Sequence, residues 1–129
     1  MTDNVANTMP FSKLMGVKVT GADKDMIVGE LVVRKDLCTS GNILHGGAIM
    51  AFADALGAIA AFMNLPEGAT GTTTIESKTN FIRGAKEGTM ITAETTPVSR
   101  GRRVSVWQTE MKRPDGKLIA VVTQTQLVL

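Results

Sequence analysis

With 129 residues, 43% of them hydrophobic and 20% charged, the sequence amounts to a single domain, long enough to bury about two thirds of its unfolded surface. A net charge of +2 and an aromatic set of four Phe, one Trp and no Tyr supply neither the positive field nor the stacking platforms that nucleic acid requires. The single Cys38 and single His45 are too few ligands for a structural zinc site, and a lone cysteine closes no internal disulfide, as suits a reducing cytoplasm.

Met1 to Pro10 carries Asp3 and several polar side chains and lacks the apolar core of a signal peptide, so the protein is expected to stay inside the cell. Pro10 to Met15 reads as one or two helical turns. Gly16–Thr20 and Met26–Val33, with Val17, Val19 and Ile27 on alternating positions, read as a hairpin around the turn Gly21-Ala22-Asp23-Lys24-Asp25. A loop from Asp36 leads to Leu44-His45-Gly46-Gly47. From Ala48 to Met63 every residue except Asp54 is Ala, Ile, Met, Phe, Leu or Gly. Ile49, Phe52, Leu56, Ile59, Ala60 and Met63 recur at spacings of three and four, which predicts a helix apolar on nearly all sides, buried or pressed against a partner. The run is interrupted by Gly46, Gly47, Asp54 and Gly57 and falls short of the roughly 20 apolar residues of a membrane span. Pro66 and Gly68 end it. Four more strands follow, Thr72–Ile82, Met90–Val98, Arg103–Met111 and Leu118–Val128, separated by turns at 84–88, 100–102 and 113–116. Two strands, a long helix and four strands describe an α+β domain over residues 1–129, its antiparallel sheet wrapped round the helix.

Asp54 carries the chemical interest. A carboxylate in so apolar a segment loses hydration when the segment packs, which is tolerated where the group is paired or used. A structural role, capping a partner's backbone or paired to a buried base, stands beside the catalytic one. The free N–H groups of Gly46 and Gly47 form an electropositive helix end suited to a carbonyl oxygen. If the helix starts near Gly46, His45 and Asp54 lie roughly 13 Å apart along the axis. No bond in a small substrate touches both. Two copies of the helix running antiparallel across a two-fold axis would bring the start of one beside the middle of the other, giving a shared site twice per dimer. Gly57, mid-helix, costs about 0.8–1 kcal/mol against Ala, a cost that close approach of a neighbouring backbone would explain. Gly68 to Thr74 lacks the Gly-Lys-Ser/Thr ending of a phosphate loop.

The order of elements, Leu44-His45-Gly46-Gly47-Ala48 and the acid nine residues after the histidine resemble the hotdog-fold acyl-CoA thioesterases, in particular the PaaI-type branch that includes the phenylacetate-pathway and 4-hydroxybenzoyl-CoA enzymes. Thr79-Asn80-Phe81-Ile82-Arg83 and the basic turn Arg100-Gly101-Arg102-Arg103 extend the likeness, which covers Phe11 to the C-terminus. It implies five to six antiparallel strands around one central helix, and a cytoplasmic homodimer or dimer of dimers. It also implies no metal, no membrane and no cofactor beyond the coenzyme A of an acyl-CoA or aryl-CoA substrate. By the same resemblance Asp54 attacks the thioester or activates a water, and the Gly46 N–H of the opposite subunit is the oxyanion donor. His45 shapes that turn and hydrogen-bonds near the thioester, and Thr74 orients the water. Substrate contacts fall on Thr39, Asn42 and Gly47 near the thioester, and on Phe81 and the turn of Arg100, Gly101, Arg102 and Arg103 for the nucleotide. The planar forks of these arginines, with Arg83 as a further candidate, suit phosphate oxygens, and a solvated β-turn stands as the alternative reading. Two positions depart from the pattern. Thr39 stands where members carry Gln or Asn to hold the carbonyl, and Ala58 stands where aryl-CoA enzymes with a catalytic Glu place Ser or Thr. A hydratase or dehydratase of the same fold and a non-catalytic acyl-CoA-binding module are the alternatives. The first usually shows other sequence around the histidine, and the second has no use for a desolvated carboxylate.

Overall fold

The computed structural model describes residues 2–129, with side chains from Val5 onward. In chain order it consists of α1 (Thr2–Asn7), α2 (Pro10–Met15), β1 (Lys18–Ala22), β2 (Ile27–Val32), a 3-10 turn (Lys35–Leu37), α3 (Gly46–Met63), β3 (Thr72–Phe81), β4 (Met90–Arg100), β5 (Val104–Lys112) and β6 (Leu118–Val128). All six strands form one antiparallel sheet in the order β1-β2-β4-β5-β6-β3.

The strands and the long helix fall within a few residues of their predicted bounds. Helix α1 is an addition. It has no capping or periodic signal of its own and exists through packing, with Ala6 fully buried against the core. Helix α2 starts at Pro10, whose missing N–H costs nothing in a first turn, and stops at Gly16, which takes a φ of 83° and closes onto the Ser12 and Lys13 carbonyls.

Helix α3, about 27 Å long, lies across the concave face of the sheet and touches β2 through β6. It is the one helix among the described residues long and apolar enough to cross a membrane, and its buried face identifies it as the core helix instead. Phe52 and Leu56, both fully buried, meet a sheet face built by Val19, Ile27, Leu31, Ile91, Trp107, Met111 and Val122. Burying each large side chain of this kind stabilises the fold by about 1.5–3 kcal/mol. The small residues Ala53, Ala60 and Ala61 let the sheet come close.

A bulge at Ile75 of β3 shifts the register between Thr74 and Glu76. Across it the inward-facing set changes from Thr72 and Thr74 to Ser77 and Thr79, while Thr74 is left directly opposite Gln126 of β6. Strand β3 is also the end of the sheet order, so its outer edge has no partner strand within the chain.

At Gly57 a side chain, not a backbone, makes the close approach. A Cβ built there would fall inside the carboxamide of Gln124. Gly57→Ala should therefore lower stability by about 1–3 kcal/mol through overpacking, instead of raising it by the 0.8–1 kcal/mol that Ala normally contributes mid-helix. Urea unfolding of the two proteins measures the sign directly.

Candidate active site

Asp54 sits half-buried in the middle of α3, facing β3. The Thr74 hydroxyl donates to Asp54 Oδ1 at 2.6 Å. Behind it, Gln126 Nε2 donates to Thr74 Oγ1 at 2.6 Å and to Gln124 Oε1 at 2.7 Å, and Gln124 Nε2 donates to the Ala53 carbonyl at 2.8 Å. Both glutamines are fully buried. Among the described residues no cation pairs with Asp54, so the ion-paired structural reading of this acid does not apply within the chain.

The start of α3 is arranged around His45, its N-cap residue. His45 Nδ1 accepts the Gly47 N–H at 2.8 Å, which places the ring hydrogen on Nε2. The Ala48 and Ile49 N–H groups donate to the His45 carbonyl, and the His45 N–H donates to the Leu37 carbonyl at 2.8 Å. The Gly46 N–H alone of this turn has no acceptor among the described residues. A Cβ at Gly46 would lie 3.1 Å from the ring of Phe81, a tight contact that puts the start of α3 against the end of β3. Asp54 lies eight residues after Gly46, about 12 Å along the helix. One chain therefore presents the two groups at separate places, with β3 running back from Thr74 beside Asp54 to Phe81 beside Gly46.

The remaining predicted residues divide into three groups. In the loop before α3, Thr39 Oγ1 accepts the Gly41 N–H at 3.2 Å, which fixes the oxygen in a local turn and leaves its hydrogen to donate. Asn42, at φ 60°, is exposed with its carboxamide unpartnered among the described residues, while its backbone carbonyl accepts the Glu87 N–H. Near the helix start, Arg83 donates to the Leu118 carbonyl at 2.9 Å. At the other end of α3, Arg100 bonds Asp25 at 2.6 Å and Asn64 at 3.2 Å and lies over Trp107, which ties it to the fold. Gly101 turns so tightly that a Cβ would strike the Val104 carbonyl. Arg102 and Arg103 are exposed, with no side-chain partner among the described residues.

Gln124 and Gln126 escaped the sequence reading. Their only signal is an i, i+2 spacing in phase with Ala120 and Val122, and Thr123 and Thr125 offer an equally polar alternate face.

The Cys38 thiol donates to the Arg34 carbonyl at 3.2 Å beside a hollow of about 370 Å³ that also touches His45 and Gly47. Burial, reinforced by the charges of Glu87 and Asp36, pushes this thiol above its ordinary value. A second, larger cavity of about 900 Å³ lies one turn beyond Asp54, walled by Ala58, Ile59, Phe62 and Met63 and by Val5 and Met9 of the N-terminal segment.

One long helix held in a six-stranded antiparallel sheet of this order, with a capped His-Gly-Gly start and an acid at mid-helix, defines the hotdog class of domain. The model of the Thioesterase superfamily matches residues 41–120, and the chain belongs to that family. Its structure is similar to that of thioesterase HI1161 from Haemophilus influenzae, with a TM-score of 0.89 and 26% identity, covering 100% of this chain and 90% of that one. It is also similar to the E. coli PaaI protein from the phenylacetic acid degradation operon, with a TM-score of 0.87 and 17% identity over 100% and 96% of the two chains. A hypothetical thioesterase protein from Streptococcus pneumoniae, solved with coenzyme A, gives 0.80 and 18% over 88% and 85%. At these identities the latter two speak for the fold. Membership of the superfamily makes the protein a hydrolase acting on thioesters.

Two outcomes test this geometry. His45→Ala should cost about 0.5–2 kcal/mol of stability by uncapping α3, whereas His45→Asn, a good cap, should hold it in thermal denaturation. Iodoacetamide at pH 8 should modify Cys38 more slowly than a free model thiol, and the rate should go on climbing at pH values where the free thiol has levelled off.

Proposed function

We propose that the protein hydrolyses acyl-CoA or aryl-CoA to the free acid and coenzyme A as a cytoplasmic homodimer or pair of dimers, without a further cofactor. Asp54 is the nucleophile or general base, and the Gly46 N–H of the opposite subunit is the oxyanion donor. The observation that carries this reading is the pairing of a carboxylate bound through Oδ1 only with a helix start whose one unused donor is the Gly46 N–H.

The unpartnered edge of β3 suggests how the halves meet. An exposed strand of ten residues carrying Ile75 and Phe81, each 56% exposed, is a template for pairing with another copy. Antiparallel pairing of β3 with its counterpart would turn the two α3 helices head to middle, setting each Asp54 beside the partner's helix start.

In that arrangement the thioester oxygen receives the Gly46 N–H while Asp54 Oδ2 faces the carbonyl carbon. Direct attack forms an acyl–aspartyl anhydride and expels the coenzyme A thiolate, and water then cleaves the anhydride. In the alternative, Asp54 takes a proton from the water that attacks. Either route places negative charge on the carbonyl oxygen, where loss of one aligned donor costs about 2.7–4 kcal/mol. The thiolate leaves without a strong general acid.

His45 serves chiefly by capping, which reserves the Gly46 N–H. Thr39, whose hydroxyl hydrogen is uncommitted, and Asn42, whose exposed carboxamide carries two N–H donors, are the candidates to hold the carbonyl beside Gly47. With Arg100 engaged by Asp25, the phosphates fall to Arg102 and Arg103, with Arg83 and Phe81 flanking the nucleotide. The superfamily neighbour solved with coenzyme A supports this class of ligand.

Thiol release from a panel of acyl- and aryl-CoAs should show turnover that falls roughly 10³-fold or more in Asp54→Ala. Equal turnover by that variant, a stable monomer in light scattering, or enoyl-CoA hydration in place of thiol release would each overturn the assignment.

A further inference from the structure

We infer that Gln126, backed by Gln124, is a positioning residue for the reaction: the buried carboxamide pair aims the Thr74 hydroxyl at Asp54 and leaves Oδ2 as the one carboxylate oxygen free to react. The inference rests on the reading of Asp54 as the reacting carboxylate.

The polarity of the chain is dictated from its far end. A backbone carbonyl only accepts, so Gln124 must turn its Nε2 toward Ala53, and its Oε1 then faces Gln126. Gln126 must answer with an N–H, and its second N–H meets Thr74 Oγ1. A hydroxyl that accepts on that side has its one hydrogen left for Asp54 Oδ1. Four bonds of 2.6–2.8 Å thus diverge from Gln126 Nε2, one branch running through Gln124 to the Ala53 carbonyl and the other through Thr74 to the Asp54 carboxylate, so that both branches end on α3. Thr74 consequently orients the carboxylate, and its proton is committed before any water arrives.

Stability alone does not account for this arrangement. Gln126 Oε1 is buried with no partner among the described residues, and an unsatisfied buried acceptor is a penalty that an apolar side chain of the same shape would avoid. Gly57 is a second unfavourable choice, made in the middle of the core helix to leave room for Gln124. Both features serve to seat the pair.

The test combines kinetics with a spectroscopic readout on the intact protein. Gln126→Met, of similar volume, should lower kcat about 10–100-fold with KM within about twofold. The double variant with Thr74→Val should be no slower than Thr74→Val alone, within about twofold, because Gln126 acts through Thr74. A purely structural glutamine would lower the melting temperature and leave kcat per folded molecule unchanged, and it would multiply independently with Thr74→Val. Should Gln126→Met fail to fold, the Gln126 side-chain amide resonances decide the matter in proteins that keep the glutamine. They should shift in Thr74→Val and also in Asp54→Asn, although no hydrogen bond joins Asp54 to Gln126. Unmoved resonances overturn the proposal. If Gln126→Met keeps full kcat while Asp54→Ala is inactive, the positioning role alone falls. If Asp54→Ala is as active as the parent, the catalytic reading of Asp54 falls and takes the positioning role with it.

Discussion

A half-buried carboxylate in the middle of an apolar core helix loses part of its hydration, and the polar side chains around it are arranged to replace that loss at one oxygen. Asp54 cannot be served by its own helix, whose backbone donors are spent on the turns. Its donor arrives from the sheet through Thr74, and Thr74 is set by Gln126 and Gln124, which anchor on the Ala53 carbonyl next to the aspartate itself. The loop of interactions leaves α3 and returns to it, so the acid is fixed relative to the helix by the strands packed against it.

Three local irregularities follow from that constraint. The bulge at Ile75 brings Thr74 into line with Gln126 while allowing Ser77 and Thr79 to face inward further along. Gly57 removes a side chain where the Gln124 carboxamide crosses the helix. The buried, unpartnered Gln126 oxygen is accepted so that both N–H groups point where they are needed. Each is locally unfavourable, through register, helix propensity or desolvation. They cluster around one side chain, away from the apolar contacts that Phe52 and Leu56 make with the sheet.

The two ends of the proposed chemistry are divided by helix geometry. His45 spends its Nδ1 on the Gly47 N–H and so reserves the Gly46 N–H, while Asp54 waits about 12 Å further along the same helix. A single rigid rod cannot fold back on itself. In the proposed mechanism a second copy supplies the missing half, and the free edge of β3 is the natural place for it to dock.

Much of this was legible in one dimension, because periodicity and punctuation are local. The helix was marked by apolar residues at spacings of three and four and stopped by Pro66, the strands were marked by alternation and turns, and Asp54 stood out as the one charge in a greasy run. Its importance followed from desolvation alone. What answered Asp54 was not legible, since Gln126 lies far away in the chain and strand alternation does not say which face turns inward. Arg100, read as a phosphate ligand from its basic turn, meets Asp25 and Asn64, partners that only the folded chain brings within reach. Gly57, read as a site of backbone approach, answers to a glutamine on the last strand. The sequence by itself determined the long helix and the six strands, the lone acid and the glycine-rich helix start, because each depends on neighbours a few residues away, whereas α1 exists through packing. Only the tertiary structure decided which polar side chains meet, because pairing across a sheet depends on register and on the facing of each strand, and a single bulge changes both.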